Sequence, residues 1–186
     1  SVENQIRRLH EEGFELGLHI HPWWYKARRE NGSWVLDYSE YNFCRLPPER
    51  IIEMIDRSLG YLRKDLNIND FVPFSHRAGH LLFQDTKTAA RELAERGTKI
   101  DSSVYKGGVW HHQALDYRPA LRNGYYWRFT DSGNIPDDGG ILLELPVYTQ
   151  MVPLWRMFTV KRVGLQRKAS SSSEASKKAA SRIMDY

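Results

Sequence analysis

The segment Gly17-Leu18-His19-Ile20-His21-Pro22-Trp23 carries two histidines two residues apart. On a β-strand, positions i and i+2 share a face, with side chains about 6–7 Å apart. Two neutral imidazoles at that spacing can converge on one divalent cation. Phe14, Leu16, Leu18 and Ile20 take the opposite face, which places the strand in a core. Glu15 and Gly17 line the histidine side, where glycine leaves room for a ligand. Pro22 ends the strand, because it has no ladder donor. The histidines therefore fall at the carboxyl end of a strand, where α/β folds build active sites. The competing reading is two polar residues on a solvated strand end.

Three other segments carry candidate chemistry. In Ser75-His76-Arg77-Ala78-Gly79-His80, Arg77 follows an apolar strand and precedes a glycine turn. A fixed guanidinium there could orient a carboxylate or hold a charged intermediate; a surface arginine in a loop is the plainer reading. His80 is either a pocket residue or a loop histidine. In Lys99-Ile100-Asp101-Ser102-Ser103-Val104, Asp101 stands near a strand end, placed to pair with Arg77 or to form an Asx turn. Glu144, inside Leu142-Leu143-Glu144-Leu145-Pro146, is a carboxylate in an apolar strand and needs a partner. It is either a site residue or, as the stronger expectation, a structural one. Trp23, Trp24, Trp110 and Trp127 could stack on sugar rings or fill core and loops.

The elements that position these groups repeat one pattern. Val2, Ile6 and Leu9 fall on one helical face, with Ser1 as cap and Gly13 as a left-handed stop. A strand from Phe14 follows. Tyr25 to Leu46 reads as an aromatic loop or small hairpin turning at Asn31-Gly32. Pro47-Pro48 opens a helix to about Asp65, with Ile51, Ile55, Leu59 and Leu62 as its stripe. Phe71 to Arg77 is a short strand. Asp85 caps a helix through Arg96 with Ala89, Ala90, Leu93 and Ala94 inward, and Thr98 to Val104 is the next strand. RLHEEGFELG and ELAERGTKID share the order helix, charged turn, glycine, strand. Such repetition predicts an α/β fold of serial βα units around a mainly parallel sheet or barrel. Tyr125 to Phe129 reads as a strand. Ile141 to Tyr148 reads as a strand buried on both faces.

Taken in order, EEGFELGLHIHPWW, FSHRAGH, TAARELAERGTKIDSSV and ILLELPV resemble the polysaccharide deacetylase (NodB-type) family of metal-dependent carbohydrate esterases. The resemblance spans Ile6 to Val147. It implies a distorted (β/α) barrel and removal of N- or O-acetyl groups from a carbohydrate. It implies a divalent metal, zinc first, with cobalt, nickel, iron or manganese as alternatives. His19 and His21 match the metal-ligand segment. Arg77 matches the arginine that orients the catalytic carboxylate, and Asp101 the aspartate that supports it. Trp23 and His80 are the candidate substrate contacts. The family pattern commonly spaces its histidines by four, so this sequence resembles a branch with Gly-x-His-x-His-Pro. Paired aspartates on an earlier strand and a late histidine complete the family site. No histidine follows His112, and no such strand precedes His19. The sequence thus reads as a fragment of such a domain, expected to bind metal weakly and turn over little.

Composition sets the frame. The chain has 186 residues, 41% hydrophobic and 12% aromatic, which suits one globular domain and excludes a wholly disordered one. Ile141 to Val147, the longest apolar-rich stretch, falls far short of the about 20 residues a membrane helix needs. A single cysteine, Cys44, excludes an internal disulfide framework and a cysteine-rich zinc site. No basic-then-apolar leader opens the sequence. The formal charge is +4, but residues 161–186 carry seven bases against two acids, so residues 1–160 are almost neutral at −1. The basic character belongs to a Ser/Ala/Lys-rich tail over 161–186, and no nucleic-acid motif accompanies it. The expected domain is 1–160. The sequence leaves two rival functions open. One is an amidohydrolase-type metal hydrolase enlisting His111 and His112. The other is a non-catalytic carbohydrate-binding protein.

Overall fold

The structure is a computed structural model that describes residues 1–121 and 125–149. In chain order its elements are α1 (Val2–Glu11), β1 (Leu18–Ile20), β2 (Arg28–Glu30), β3 (Ser33–Val35), α2 (Pro48–Leu66), β4 (Ser75–Ala78), α3 (Thr86–Glu95), β5 (Ile100–Asp101), β6 (Val109–Trp110), β7 (Leu115–Asp116), β8 (Trp127–Phe129) and β9 (Leu142–Glu144). Short 3-10 turns cover Pro22–Lys26, Phe43–Arg45, Gly79–Leu81 and His111–Gln113. The described residues divide into two units, one of Ser1–Ala27 with Leu36–Tyr148, the other containing Arg28–Val35. The expected domain boundary at residue 160 and the basic tail lie outside the described residues.

The first unit is an α/β fold. Its five-stranded sheet has the order β1-β4-β5-β9-β8. β1, β4, β5 and β9 run parallel, and β8 pairs antiparallel with β9. α2 and α3 cover one face. Ile51, Met54, Ile55 and Leu59 of α2 and Ala89, Ala90 and Leu93 of α3 share a core with Leu18, Ile20, Ala78, Phe129 and Leu142 of the strands. The stripe expected for α2 is therefore present, with Leu62 half-buried against it. Asn67, at φ 58°, ends that helix in the left-handed conformation. Ser1 caps α1 through its hydroxyl, which accepts from the Asn4 amide.

The strands are shorter than the alternation predicts. β1 begins at Leu18, not Phe14, and Phe14 is 58% exposed. Its partner β4 begins only at Ser75, so pairing opens at Leu18 with His76. Gly17 lies at that approach. A Cβ there would meet Ser75 Oγ at 2.7 Å, so its missing side chain admits the neighbouring strand rather than a ligand. β9 is buried on one face only. Leu142 and Glu144 are buried, while Ile141 and Leu145 are 38% and 48% exposed. No residue of α1 is buried; Ile6 and Leu9 are half-covered, and the helix is tied to α2 by the Arg7–Asp65 ion pair. Asp85 stands at the N-cap of α3 without a side-chain cap bond, and Thr86 Oγ1 donates to the Phe83 carbonyl instead.

In the second unit, β2 and β3 form a two-stranded hairpin. Asn31 and Gly32 turn it at φ 49° and 83°, as the Asn-Gly pair predicts. No helix among the described residues is long and apolar enough to cross a membrane.

Candidate metal and aromatic site

Register brings the candidate residues to one end of the sheet. His19 pairs with Arg77 across β1 and β4, and Ile20 with Ala78. The period of two holds: Leu18 and Ile20 are buried among the helices, and His19 projects from the other, open face. His19 Nδ1 lies 2.8 Å from the Arg77 carbonyl oxygen. A carbonyl only accepts, so Nδ1 carries a hydrogen, and in the neutral ring Nε2 then keeps its lone pair. The His21 Nε2 atom lies 2.9 Å from His19 Nε2. His21 Nδ1 is buried without a hydrogen-bond partner, against Gly79.

Beyond β4 the backbone turns sharply. His80 and Leu81 both take positive φ, 54° and 60°, which a non-glycine residue adopts at a cost. The turn brings the His80 ring to 5.0 Å from His21, edge to face. Burial first, then the neighbouring His19 and His80 rings, push the His21 imidazole down to about 4. His80 is lowered by burial and then by His19. His21 is therefore neutral at physiological pH, the form that ligates a metal.

An aromatic stack backs these rings. Tyr41 lies parallel to His80 at 5.0 Å and to Trp23 at 4.9 Å. Trp110 meets Tyr41 edge-on at 5.9 Å. Trp23, expected to face substrate, is only 7% exposed, because Tyr41, His80 and His21 crowd its ring. It is a wall behind the histidines. Tyr38, 5.9 Å from Trp23 and 56% exposed, is an open ring of this cluster, and His80, 4.7 Å from the same Trp23 ring, is exposed as well. Sequence reasoning missed Tyr38 and Tyr41 because their segment showed no regular period.

The pairing expected between Arg77 and Asp101 does not form. Neighbours on a strand face opposite ways. Arg77 points to the open face, where Nε donates to the Ser102 carbonyl and Nη2 to Ser102 Oγ, each at 2.9 Å. Asp101 points into the core and accepts from His76 Nδ1 at 2.6 Å, both side chains fully buried. The Ser103 amide donates to Asp101 Oδ2 at 2.9 Å and its hydroxyl to Oδ1 at 3.0 Å. Glu144, level with Asp101 on β9, accepts from the Val104 amide. Burial, then Asp101's charge and hydrogen bond, hold the Glu144 carboxyl well above the usual carboxylate range. His76, Asp101 and Glu144 thus form a buried polar row across β4, β5 and β9. His76 was legible only from the alternation that places it with Ala78. His111 and His112 lie exposed on the turn between β6 and β7.

Two imidazole nitrogens converge here. The His19 and His21 Nε2 atoms lie close enough that a small rotation of either ring would turn both toward one ion, and the other nitrogen of His19 has the kind of carbonyl partner that metal-bound histidines use. The donor set fits a divalent cation held by His19 and His21. Among the described residues, no group of three His, Cys, Asp or Glu side chains forms a metal cage. No protein-family model, curated protein or solved structure matches the chain.

Proposed function

We propose that the protein is a metal-dependent hydrolase of the polysaccharide deacetylase type, removing N- or O-acetyl groups from a carbohydrate, on a sheet that belongs to a distorted (β/α) barrel. The observation that carries this reading is the convergence of His19 and His21 Nε2 at the carboxyl end of a parallel strand, beside Arg77. His19 and His21 would hold a divalent ion, zinc first, which would supply a Lewis acid able to acidify water and polarise a carbonyl. His19, its tautomer fixed by the Arg77 carbonyl, presents a lone pair. His21, kept neutral by burial and its neighbours, presents the second. Arg77, held by Ser102 on the same face as His19, sets a permanent cation where an acyl oxygen or released acetate gathers charge. His80 and Tyr38 offer the ring surface for a sugar, with Trp23 and Tyr41 bracing them.

The test measures acetate release from chitooligosaccharides and from an activated aryl acetate, with zinc and with chelator. Slow, zinc-stimulated release that disappears in His19→Ala supports the proposal. Sugar binding indifferent to metal, with no release, overturns it in favour of a carbohydrate-binding protein.

A further inference from the structure

One buried carboxylate brackets the residue on which His19 leans. Arg77 stands between His76 and Ala78 on β4. His76 Nδ1 donates to Asp101 Oδ1 at 2.6 Å. The Ala78 amide donates to Ser103 Oγ at 2.9 Å, and Ser103 Oγ donates to the same Asp101 Oδ1 at 3.0 Å. The residues on both sides of Arg77 are thereby tied to one atom, His76 through its side chain and Ala78 through its main-chain amide and the Ser103 hydroxyl. The Ser102 amide adds a bond to the His76 carbonyl at 2.9 Å. Between these ties the Arg77 carbonyl faces His19 Nδ1, and the Arg77 guanidinium is drawn to Ser102. His76, Ala78, Asp101 and Ser103 are buried, where a hydrogen-bond network is stiff and a broken member is costly.

We infer that Asp101 is a positioning residue: acting through His76 and Ser103, it fixes the Arg77 carbonyl and so holds His19 with its hydrogen on Nδ1 and its lone pair on Nε2. The inference rests on the reading of His19 as a metal ligand, but it concerns the histidine itself. It departs from the expectation that the aspartate supports the Arg77 side chain, since that side chain lies on the opposite face and is held by Ser102. The outer partners of a metal-bound histidine set its tautomer and orientation, and their loss typically weakens metal binding roughly 10–100-fold. Asp101 stands beyond that carbonyl partner, with His76 and Ser103 between, so the effect reaches the metal only through the tautomer.

The test is the imidazole nitrogen spectrum of the full chain labelled with 15N-histidine, recorded without metal above the usual imidazole titration range. The parent shows His19 as a single Nδ1–H tautomer. Asp101→Asn and Ser103→Ala each move the His19 nitrogens toward a mixture of tautomers, and each weakens zinc binding by roughly 10–100-fold. His76→Asn, whose amide still donates from the Nδ1 position, keeps the parental His19 signals; His76→Ala does not. Ser103→Ala removes one hydroxyl, so it carries the test if Asp101→Asn fails to fold. Unmoved His19 nitrogens in folded Asp101→Asn or Ser103→Ala overturn the inference. A parent chain with the single tautomer but no zinc binding leaves this inference standing and sinks the hydrolase reading instead.

Discussion

The Nε2 atoms of His19 and His21 face each other at 2.9 Å, although His19 leaves β1 and His21 lies one residue beyond its end. Two neutral imidazoles hold such a contact only if one donates to the other or both turn their lone pairs to a shared cation. The prediction is that zinc binds with both rings or not at all. His19→Ala and His21→Ala should each lower zinc affinity by at least about 100-fold, more than loss of an outer partner does. Titration calorimetry measures this directly. Trp23, 4.5 Å from His21, provides a second readout, because cobalt or copper at His21 quenches its fluorescence. Undiminished affinity in either variant would place the metal elsewhere.

Gly79 shapes the same site by being small. A Cβ at this position would meet the Ile20 carbonyl at 2.5 Å and His21 Nδ1 at 2.8 Å. Its surroundings are strand backbone and an imidazole, so the imidazole must move. Gly79→Ala should turn His21 away from His19 and lower zinc affinity about as much as His21→Ala, while leaving the His19–Arg77 bond intact. A crystal structure or the histidine nitrogen spectrum shows which ring moved. Parental zinc affinity in Gly79→Ala would mean that His21 does not bind through the geometry described.

The sequence was most readable where a period governed it. Ile51, Ile55 and Leu59 recur at helical spacing and are buried on α2. Leu18 and Ile20 alternate with His19, and only His19 of the three is exposed. Glycine and asparagine turns were also legible, as Gly13 and Asn31-Gly32 show by their positive φ. What escaped was set by distant chain. Strand length depends on where the partner begins, so Phe14 lies outside the ladder that Ser75 opens. Asp101 was placed near Arg77 correctly in sequence order, but a one-residue step on a strand reverses the face. That reversal gave Asp101 to His76 and Arg77 to Ser102. The stack of Tyr41 on His80 joins residues 39 apart in a segment without period, and needs the left-handed turn at His80 to form.

The helical support of β1 is itself testable. Ile55 is fully buried on α2, in the core shared with Leu18 and Ile20. Ile55→Ala leaves a cavity and should destabilise the chain by about 2–5 kcal/mol. A urea denaturation series measures the loss. Zinc bound by the folded state alone should restore part of it, by mass action. A loss well below 1 kcal/mol would mean that α2 does not form the core against which β1 is laid.

Glu144 makes stability depend on pH. Its folded carboxyl titrates well above 4.5, the ordinary value, because burial and the adjacent Asp101 disfavour a second charge. The Asp101–Glu144 pair therefore keeps a proton that the unfolded chain has released. Where the folded state binds more protons, stability falls as pH rises. The sign for Glu144 is thus a loss of stability beginning near pH 4.5 and continuing upward until the folded group itself ionises. Glu144→Gln keeps the oxygen that accepts from the Val104 amide and supplies an N–H in place of the acid hydrogen toward Asp101. It cannot ionise, so this part of the pH dependence disappears. The expected result is a urea midpoint for Glu144→Gln that falls less steeply with pH than the parent's. The two profiles converge in acid and separate toward neutral pH and above. Parallel profiles would show that Glu144 ionises at its ordinary value and that the polar row carries two charges.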